Sequence, residues 1–397
     1  MHESLPFDET DVRVSTGQLP SLLEVEQFLH EAYVHYRDDD GGAVADYIPA
    51  LAEVDPSLFG ACITGAAGLF TEVGDAHHPF SIQSVSKAFV FALVCDALGH
   101  MEVLDKVGVN GTGLPFNSVM AIELNDDRTM NPMVNAGAMA TTSLVPGETV
   151  EAKWAYVQDG LSRFAGRRLE VDEDVYASET ATNLRNQGIA HLLDGYGRMY
   201  ADPDESTDIY TRQCSLLVTA HDLAVMGATL ANGGINPVTG ERAVSTPTCK
   251  RVLAVLATAG LYERSGDWLY EIGIPGKSGV SGGIVAIAPG KGAIGVFSPK
   301  LDEAGNSVRG QKLVKNLSQR LGLSAQDADL LTAALALAIG AVFHWEAAVN
   351  PVLLCFVHFN LHSMGESFIL TNAAFTVEKN LDPMNGLLLF NGEGCPK

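Results

Sequence analysis

The feature that most constrains the fold of this chain is a pair of strand-like hairpins that lie far apart in the sequence. The first is predicted from β-rich runs at 59–64 and 68–73, which are joined by a short glycine-containing turn. The second lies within 272–298, where β-branched residues flank a Gly-Lys-Gly turn. Between them, about 98–271 has a mostly helical pattern. We therefore expect an α+β fold in which helices flank one antiparallel sheet built from distant parts of the chain.

Composition and pattern divide the chain into three parts. These are a flexible N-terminus at 1–20, a main domain at 21–315 and a small C-terminal domain or docking segment of unknown fold at 316–397. Within the main domain, the sheet is expected from about 40–83 and 272–315, and a helical subdomain from about 100–271. Ser21 precedes an amphipathic run, so it is predicted to cap the first helix.

The chain is strongly acidic, with 48 Asp and Glu residues against 25 Lys and Arg and a formal net charge of −23. Nucleic acid and anionic membrane surfaces would repel such a protein, so we expect neither as a partner. The apolar runs at 327–342 and 351–359 are too short and too interrupted for a membrane span. The acidic surface predicts solubility and salt tolerance.

The distribution of cysteines and histidines predicts neither a metal site nor a cofactor site. The six cysteines form no C-x-x-C pair, which indicates reduced thiols rather than a disulfide framework or a zinc site. His77 and His78 have no second pair nearby, so we expect them to be surface residues. The N-terminus lacks the basic and apolar regions of a secretory signal, which predicts a cytoplasmic protein.

A Ser-x-x-Lys motif, Ser84 and Lys87, lies at the start of a long apolar run. At the beginning of a helix these residues share one face, one turn apart. Apolar neighbours would lower the pKa of the lysine, and the neutral amine could then accept the proton of the serine hydroxyl. The first helical turn also directs free N–H groups at an oxyanion beside the serine. The motif alone leaves a simpler interpretation open, a capping serine followed by a lysine that reaches to solvent.

A second motif, Lys277-Ser278-Gly279, makes a catalytic interpretation stronger. Ser-x-x-Lys on a helix followed by Lys-Ser/Thr-Gly on a strand is the pairing found in serine β-lactamases and penicillin-binding proteins. The intervening Ser-Asp-Asn or Tyr-x-Asn motif of those enzymes is missing here. The pattern thus predicts the same scaffold with a different chemistry.

The sequence closely resembles the serine-dependent glutaminases. The segments that carry the resemblance are 44–52, 83–87, 131–138, 228–234 and 275–283, in order along about 25–312. The resemblance implies a β-lactamase/transpeptidase-like fold and hydrolysis of L-glutamine to L-glutamate and ammonia through a serine acyl-enzyme. It also makes the main domain the catalytic domain and implies a homo-oligomer, a dimer or a tetramer.

The resemblance implies a role for each residue that matches a family motif. Ser84 would be the nucleophile, with Lys87 as its activating partner, and the N–H groups of Ser84 and Val280 would form the oxyanion hole. Tyr47 and Tyr262 would lie near the serine, where either phenol could pass a proton to the leaving ammonia. The residues that would bind glutamine are Ser84, Asn135, Glu179, Asn186, Tyr210, Tyr262 and Val280.

The substrate's own chemistry agrees with part of this set. Glutamine carries an ammonium, a carboxylate and a carboxamide, so its site needs an anion and several neutral hydrogen-bonding groups. Glu179 supplies the anion, and if 179–186 is helical, Asn186 points the same way two turns further on.

Two alternative functions are weighed against glutamine hydrolysis. One is a penicillin-recognising serine hydrolase, which the missing middle motif and the absent export signal disfavour. The other is a glutamine-binding sensor whose core passes a signal to the tail.

Overall fold

The computed structural model describes residues 19–126 and 128–324 in full, and the backbone of three further strands between 360 and 378. The chain divides into two compact units, Met1–Asp329 and Leu330–Lys397. The strands described in the second unit are β8 Asn360–Met364, β9 Ser367–Thr371 and β10 Thr376–Glu378. They pair antiparallel in the order β10-β9-β8. The predicted apolar runs of the tail, and almost all of the predicted flexible N-terminus, lie outside the described residues.

The first unit contains a five-stranded antiparallel sheet in the order β2-β1-β7-β6-β5. Its strands are β1 Gly60–Gly65, β2 Phe70–Gly74, β5 Gly276–Ser278, β6 Gly283–Ala288 and β7 Gly292–Phe297, while β3 Phe80–Ser81 and β4 Leu217–Val218 form a separate two-stranded pair. The two predicted hairpins are β1–β2 and β6–β7, and β1 pairs with β7 to join them. The prediction of an α+β fold with a sheet from distant parts of the chain is confirmed.

Helices cover both faces of this sheet. They are α1 Leu22–Tyr36, α2 Pro49–Ala52, α3 Ser86–Leu98, α4 His100–Val107, α5 Val119–Leu124, α6 Asn135–Ser143, α7 Val150–Ala165, α8 Glu173–Thr182, α9 Leu184–Gly195, α10 Pro203–Cys214, α11 Ala220–Ala231, α12 Thr246–Ala259, α13 Ser265–Ile272 and α14 Val308–Arg320. Helix α11 packs on β1, β6 and β7, and α1 and α14 pack together over the other face. Helix α3 lies within the larger core, among α6, α7 and α12.

Helix α1 begins where the sequence predicts. The Ser21 side chain accepts a hydrogen bond from the Glu24 N–H, and the Glu24 carboxylate accepts one from the Ser21 N–H. This reciprocal pair satisfies two N–H groups that the first turn would otherwise leave without partners. The buried residues Val25, Leu29 and Ala32 then form one apolar face against the sheet.

The last helix of the first unit extends past the predicted end of the main domain. Helix α14 continues across 315 and 316, and its residues Leu313 and Leu317 are buried in the same apolar cluster as Leu321, which follows the helix. Leu323, beyond the helix, belongs to that cluster too. A boundary after 315 would therefore cut through a helix whose apolar face is part of the core. No helix among the described residues is long and apolar enough to cross a membrane.

Candidate active site

Ser84 lies in a tight turn that leads from β3 into α3. The turn is a 3-10 helix, Gln83–Val85, and Gln83 has a left-handed backbone with φ of 49°. A non-glycine residue in this region costs roughly 1–3 kcal/mol, which the surrounding packing must offset. All residues of α3 from Ser86 to Cys95 are buried, which is why this apolar run has no polar face. The nucleophile candidate is thus held by a buried helix at the bottom of a cavity.

Lys87 has almost no contact with solvent, since only 1% of its surface is exposed. Desolvation lowers the pKa of its amine to about 8. The Nζ atom donates to Asn135 Oδ1 at 2.7 Å and to the Met133 carbonyl at 3.4 Å. Among the described residues, these oxygens, and not the Ser84 hydroxyl, accept its hydrogen bonds. The amine lies beside the rings of Phe116 and Tyr210, at 5.7 and 5.9 Å from their centroids.

The Tyr262 phenol lies beside the Ser84 side chain, which lowers the pKa of the phenol and so opposes the effect of burial. The Tyr262 hydroxyl donates to the Ser278 carbonyl at 3.2 Å. The backbone of Tyr262 is also left-handed, with φ of 56°. Burial raises the pKa of its phenol, which therefore stays neutral at neutral pH. Both residues that flank or touch the Ser84 side chain, Gln83 and Tyr262, thus have unusual backbones.

Val280 lies in a turn that follows β5 and closes with a bond from the Gly282 N–H to the Gly279 carbonyl. A Cβ atom at Gly279 would lie 3.0 Å from the Ile82 carbonyl oxygen and 3.3 Å from Gln83 Cβ. A glycine there is what allows this turn to approach the backbone just before Ser84. Within the described residues, the Val280 N–H has no backbone hydrogen-bond acceptor.

Glu179 and Asn186 lie on two helices and not on one. Helix α8 ends at Thr182 and α9 begins at Leu184, with Asn183 between them, so the condition of one continuous helix over 179–186 is not met. The Asn183 backbone leaves the helical conformation at the break, with φ of −85° and ψ of 19°, and its side chain donates to the Thr211 hydroxyl. Both predicted residues nevertheless line the same cavity.

The Glu179 carboxyl group is buried without a cationic hydrogen-bond partner among the described residues. Only 7% of the residue is exposed, and Gln83 Nε2 donates to its Oε2 at 3.3 Å. Desolvation raises the pKa of the carboxyl group to about 7, although Lys87 opposes the shift. A buried carboxylate in this state would gain a strong partner from a ligand ammonium group.

Three more predicted residues form a hydrogen-bonded group around the Lys87 amine. Asn135, at the start of α6, accepts from Tyr210 at 3.3 Å through the same Oδ1 that accepts from Lys87. Its Nδ2 donates to Asn186 Oδ1 at 2.9 Å. Asn135 therefore connects the candidate base to the wall of the cavity, where Asn186 and Tyr210 lie.

One cavity brings most of the predicted site residues together. Those that line it are Tyr47, Ser84, Asn135, Glu179, Asn186, Tyr210 and Val280. Lys87 and Tyr262 lie behind this lining, in contact with Asn135 and Ser84 respectively. The Tyr47 ring is 55% exposed, at the opening of the cavity. The predicted set is thus gathered from separate segments spread along most of the first unit.

Three residues of the site were given no role from the sequence, although Gln83 and Lys277 lie in the motifs at 83–87 and 277–279. Gln83 orients Glu179, and it stands immediately before Ser84 in the chain, so its position was a usable signal. Lys277 is fully buried with its Nζ 4.2 Å from the centroid of the Tyr262 ring, and its pKa is lowered by burial and by Lys87. Cys214 also lines the cavity, and burial raises the pKa of its thiol to about 12. Nothing in the spacing of the cysteines points to it.

Comparisons with known proteins agree with this geometry. The chain matches the Glutaminase family over residues 42–325. Glutaminase 2 of Yersinia pestis is 55% identical over 310 residues, which are 78% of this chain and 91% of that protein. The chain belongs to the glutaminase family. The glutaminase of Colwellia psychrerythraea is 51% identical over 302 residues, which are 76% of this chain and 97% of that protein.

Solved structures also support the assignment of this chain to the glutaminase family. A probable glutaminase named ybaS is 44% identical with a TM-score of 0.76, over 77% of this chain and 99% of that chain. The Bacillus subtilis glutaminase YbgJ, solved as a covalent complex with 5-oxo-L-norleucine, is 32% identical with a TM-score of 0.67, over 76% and 99%. The activity of the present enzyme is hydrolysis of L-glutamine to L-glutamate and ammonia. The alternatives of a penicillin-recognising hydrolase and of a sensor without activity are set aside.

Proposed function

We propose that this glutaminase works through an acyl-enzyme on Ser84, on a β-lactamase/transpeptidase-like scaffold. The observation that carries the proposal is the position of the Ser84 hydroxyl. It lies beside the Tyr262 phenol, it is one helical turn from the desolvated Lys87 amine, and it lines a cavity with Val280. Hydroxyl, base and oxyanion donor are the three parts that nucleophilic acyl transfer requires.

The substrate's amino-acid head group binds at the far wall of the cavity. The Glu179 carboxylate accepts hydrogen bonds from the α-ammonium, which replaces a poorly compensated buried charge with an ion pair. Asn186 and Tyr210 provide neutral hydrogen-bonding groups, and Asn135 holds them in place. The side-chain carboxamide then extends toward Ser84.

In the first half-reaction, Ser84 Oγ attacks the carboxamide carbon. The Ser84 proton passes to the base, either directly to the Lys87 amine or by way of the neighbouring Tyr262 phenol. A lysine with a pKa of about 8 is neutral in about one molecule in ten at pH 7, so the required form is populated. The N–H groups of Val280 and Ser84 stabilise the oxyanion.

Collapse of the tetrahedral intermediate breaks the C–N bond. The leaving amide nitrogen takes a proton from the protonated base or from the phenol of Tyr262 or Tyr47, and departs as ammonia. Water then attacks the γ-glutamyl ester, and its proton returns along the same groups. The products are L-glutamate and the free Ser84 hydroxyl, and every step balances without a cofactor.

Labelling with 6-diazo-5-oxo-L-norleucine, together with steady-state ammonia release, tests the nucleophile assignment. We expect the reagent to label the peptide that contains Ser84, and Ser84→Ala to abolish both labelling and turnover. The matched control is Ser86→Ala, because the Ser86 hydroxyl is buried next to the site but donates to the Gln83 carbonyl. In the Ser86→Ala enzyme, the peptide that contains Ser84 should still be labelled. A Ser84→Ala enzyme that retains more than a few per cent of turnover would refute the assignment.

The assembly, the salt tolerance and the location of the protein belong to the same proposal. The net charge of −23 supports activity in concentrated salt, because an acidic surface keeps a protein dispersed there. The structure of Mglu in its L-glutamate binding form was obtained in the presence of 4.3 M NaCl; that protein is 39% identical to this chain. Sedimentation of the purified enzyme would test for a dimer or tetramer, and cell fractionation would test for a cytoplasmic location.

A further inference from the structure

A compact group of ligand-type side chains lies outside the active site, between the β1–β2 hairpin and α11. Cys62 and Glu72 are direct cross-strand partners, so their side chains share one face of the sheet. His221, near the start of α11, lies over that face. The three ligand atoms, Cys62 Sγ, a Glu72 carboxylate oxygen and a His221 ring nitrogen, are all within 4.8 Å of one another.

The contacts within this group do not form a catalytic triad. His221 Nδ1 lies 3.8 Å from Cys62 Sγ and 2.5 Å from Glu72 Oε1, so both partners approach the same ring nitrogen. A triad needs the nucleophile on one nitrogen and the acid on the other. The Cys62 side chain is also fully buried, so a substrate has no access to it.

Convergence of three different donors on one point is instead the arrangement that a metal ion requires. We propose that Cys62, Glu72 and His221 bind a divalent transition-metal ion of the Zn²⁺ class. Thiolate, imidazole and carboxylate are the ligands that Zn²⁺ takes, and in a tetrahedral site their donor atoms lie about 3.5 Å apart. The distance between Cys62 Sγ and His221 Nδ1 is already close to this value. The Glu72 oxygen needs to move away from His221 by about 1 Å, which rotation of an unbranched side chain allows.

A fourth ligand is available beside the group. His77 Nε2 lies 2.9 Å from Glu72 Oε2, and its ring stacks on that of His221 at a centroid distance of 5.3 Å. His77 therefore completes the site itself or leaves the fourth position to water. It is 69% exposed, whereas the side chains of Glu72 and His221 are 22% exposed, so the site opens to solvent on the His77 side.

The surroundings favour a structural site. The Phe70 ring meets His221 edge-on at 4.9 Å and forms an apolar wall beside the ligands. The thiolate and the carboxylate compensate for a cation near the N-terminus of α11, where a positive charge alone is unfavourable. An ion held here connects both strands of the outer hairpin to α11, and it changes the stability of the enzyme without entering its reaction. This proposal departs from the sequence-based expectation that the chain has no metal site, whereas the exposure of His77 agrees with its prediction as a surface residue.

Cobalt binding to the full-length chain tests the site. The protein is freed of metal and affinity tag, and it carries Cys355→Ser and Cys395→Ser so that thiols outside the described residues do not contribute. We expect one equivalent of Co²⁺ to produce a thiolate-to-cobalt charge-transfer band and the intense visible bands of tetrahedral cobalt. Excess Zn²⁺ should remove both and raise the midpoint of thermal unfolding.

Three variants identify the ligands. Cys62→Ser should lose the charge-transfer band, and Glu72→Gln and His221→Gln should weaken cobalt binding about tenfold or more. The two latter side chains are partly exposed, so these variants test the site even if Cys62→Ser fails to fold. The matched control is Cys249→Ser, a buried thiol outside the group, which should behave as the parent protein does. Absence of the band in the parent, or its persistence in folded Cys62→Ser, would overturn the proposal.

Discussion

Replacing Glu179 with glutamine should make the free enzyme more stable while it damages substrate binding. Burial raises the pKa of the Glu179 carboxyl group from 4.5 to about 7. Below the unfolded-state pKa the carboxyl group is neutral in both states, and the free energy of unfolding has its full value. As the pH rises from there through about 7, ionisation of Glu179 lowers the free energy of unfolding. The shift corresponds to about 3 kcal/mol of destabilisation above that pH. The neutral amide introduced by Glu179→Gln avoids this cost and can still accept the hydrogen bond from Gln83.

Urea unfolding, followed by tryptophan fluorescence at two pH values, measures the effect. At pH 8 we expect Glu179→Gln to gain up to about 3 kcal/mol in the free energy of unfolding, and near pH 4.5 the gain should fall below about 1 kcal/mol. The KM for glutamine should rise steeply, because the α-ammonium loses its anionic partner. Glu26→Gln is the control, since Glu26 is exposed in α1 and should show neither effect. A gain that is absent at pH 8, or equal at both pH values, would refute the reasoning.

Three further measurements test the site and the fold. The value of kcat/KM should rise with pH between about 6 and 8.5. The reason is that Glu179, with a pKa of about 7, must be ionised, and Lys87, with a pKa of about 8, must be neutral. A pH profile that is flat over this range would contradict these roles. Gly279→Ala should lower kcat about tenfold or more in an ammonia-release assay, because it displaces the turn that carries Val280. The control is Gly266→Ala, which should leave kcat unchanged because an added Cβ there has no neighbouring atom within 4 Å. A chain ending at 329 should keep a cooperative unfolding transition in calorimetry. A chain ending at 315 should unfold at a much lower temperature, because it lacks the buried Leu317 and Leu321. Equal unfolding midpoints for the two chains would show that the core ends before these residues.

Much of the fold was predictable because it depends on local signals. The two hairpins show β-branched residues around glycine turns, and the first helix shows its capping serine and Glu24. The two hairpins join through β1 and β7, a pairing that the prediction of one common sheet left open and that leaves β2 and β5 as its edges. The end of α14 was missed because its apolar face is completed by α1 and by the sheet, which a search along the sequence does not reveal.

The site was predictable as a set of residues and less so as a geometry. Ser84 and Lys87 lie within one turn, so their proximity follows from helical spacing. The left-handed backbones at Gln83 and Tyr262, the residues beside Ser84, are marked by no sequence pattern. The same limitation applies to the group formed by Cys62, Glu72 and His221, which exists only through strand register and the packing of α11.

The pairing of β1 with β7 has a consequence for how the enzyme is made. During translation, Ser84 and its helix emerge long before the turn that carries Val280. Strand β1 cannot pair with β7 until the intervening helices have been synthesised. A hairpin such as β1–β2 has little stability on its own, so the sheet closes only after nearly the whole unit has left the ribosome. A nascent chain should therefore hold its nucleophile without an oxyanion hole, and glutamine hydrolysis should begin abruptly only after both β7 and α14 have been synthesised.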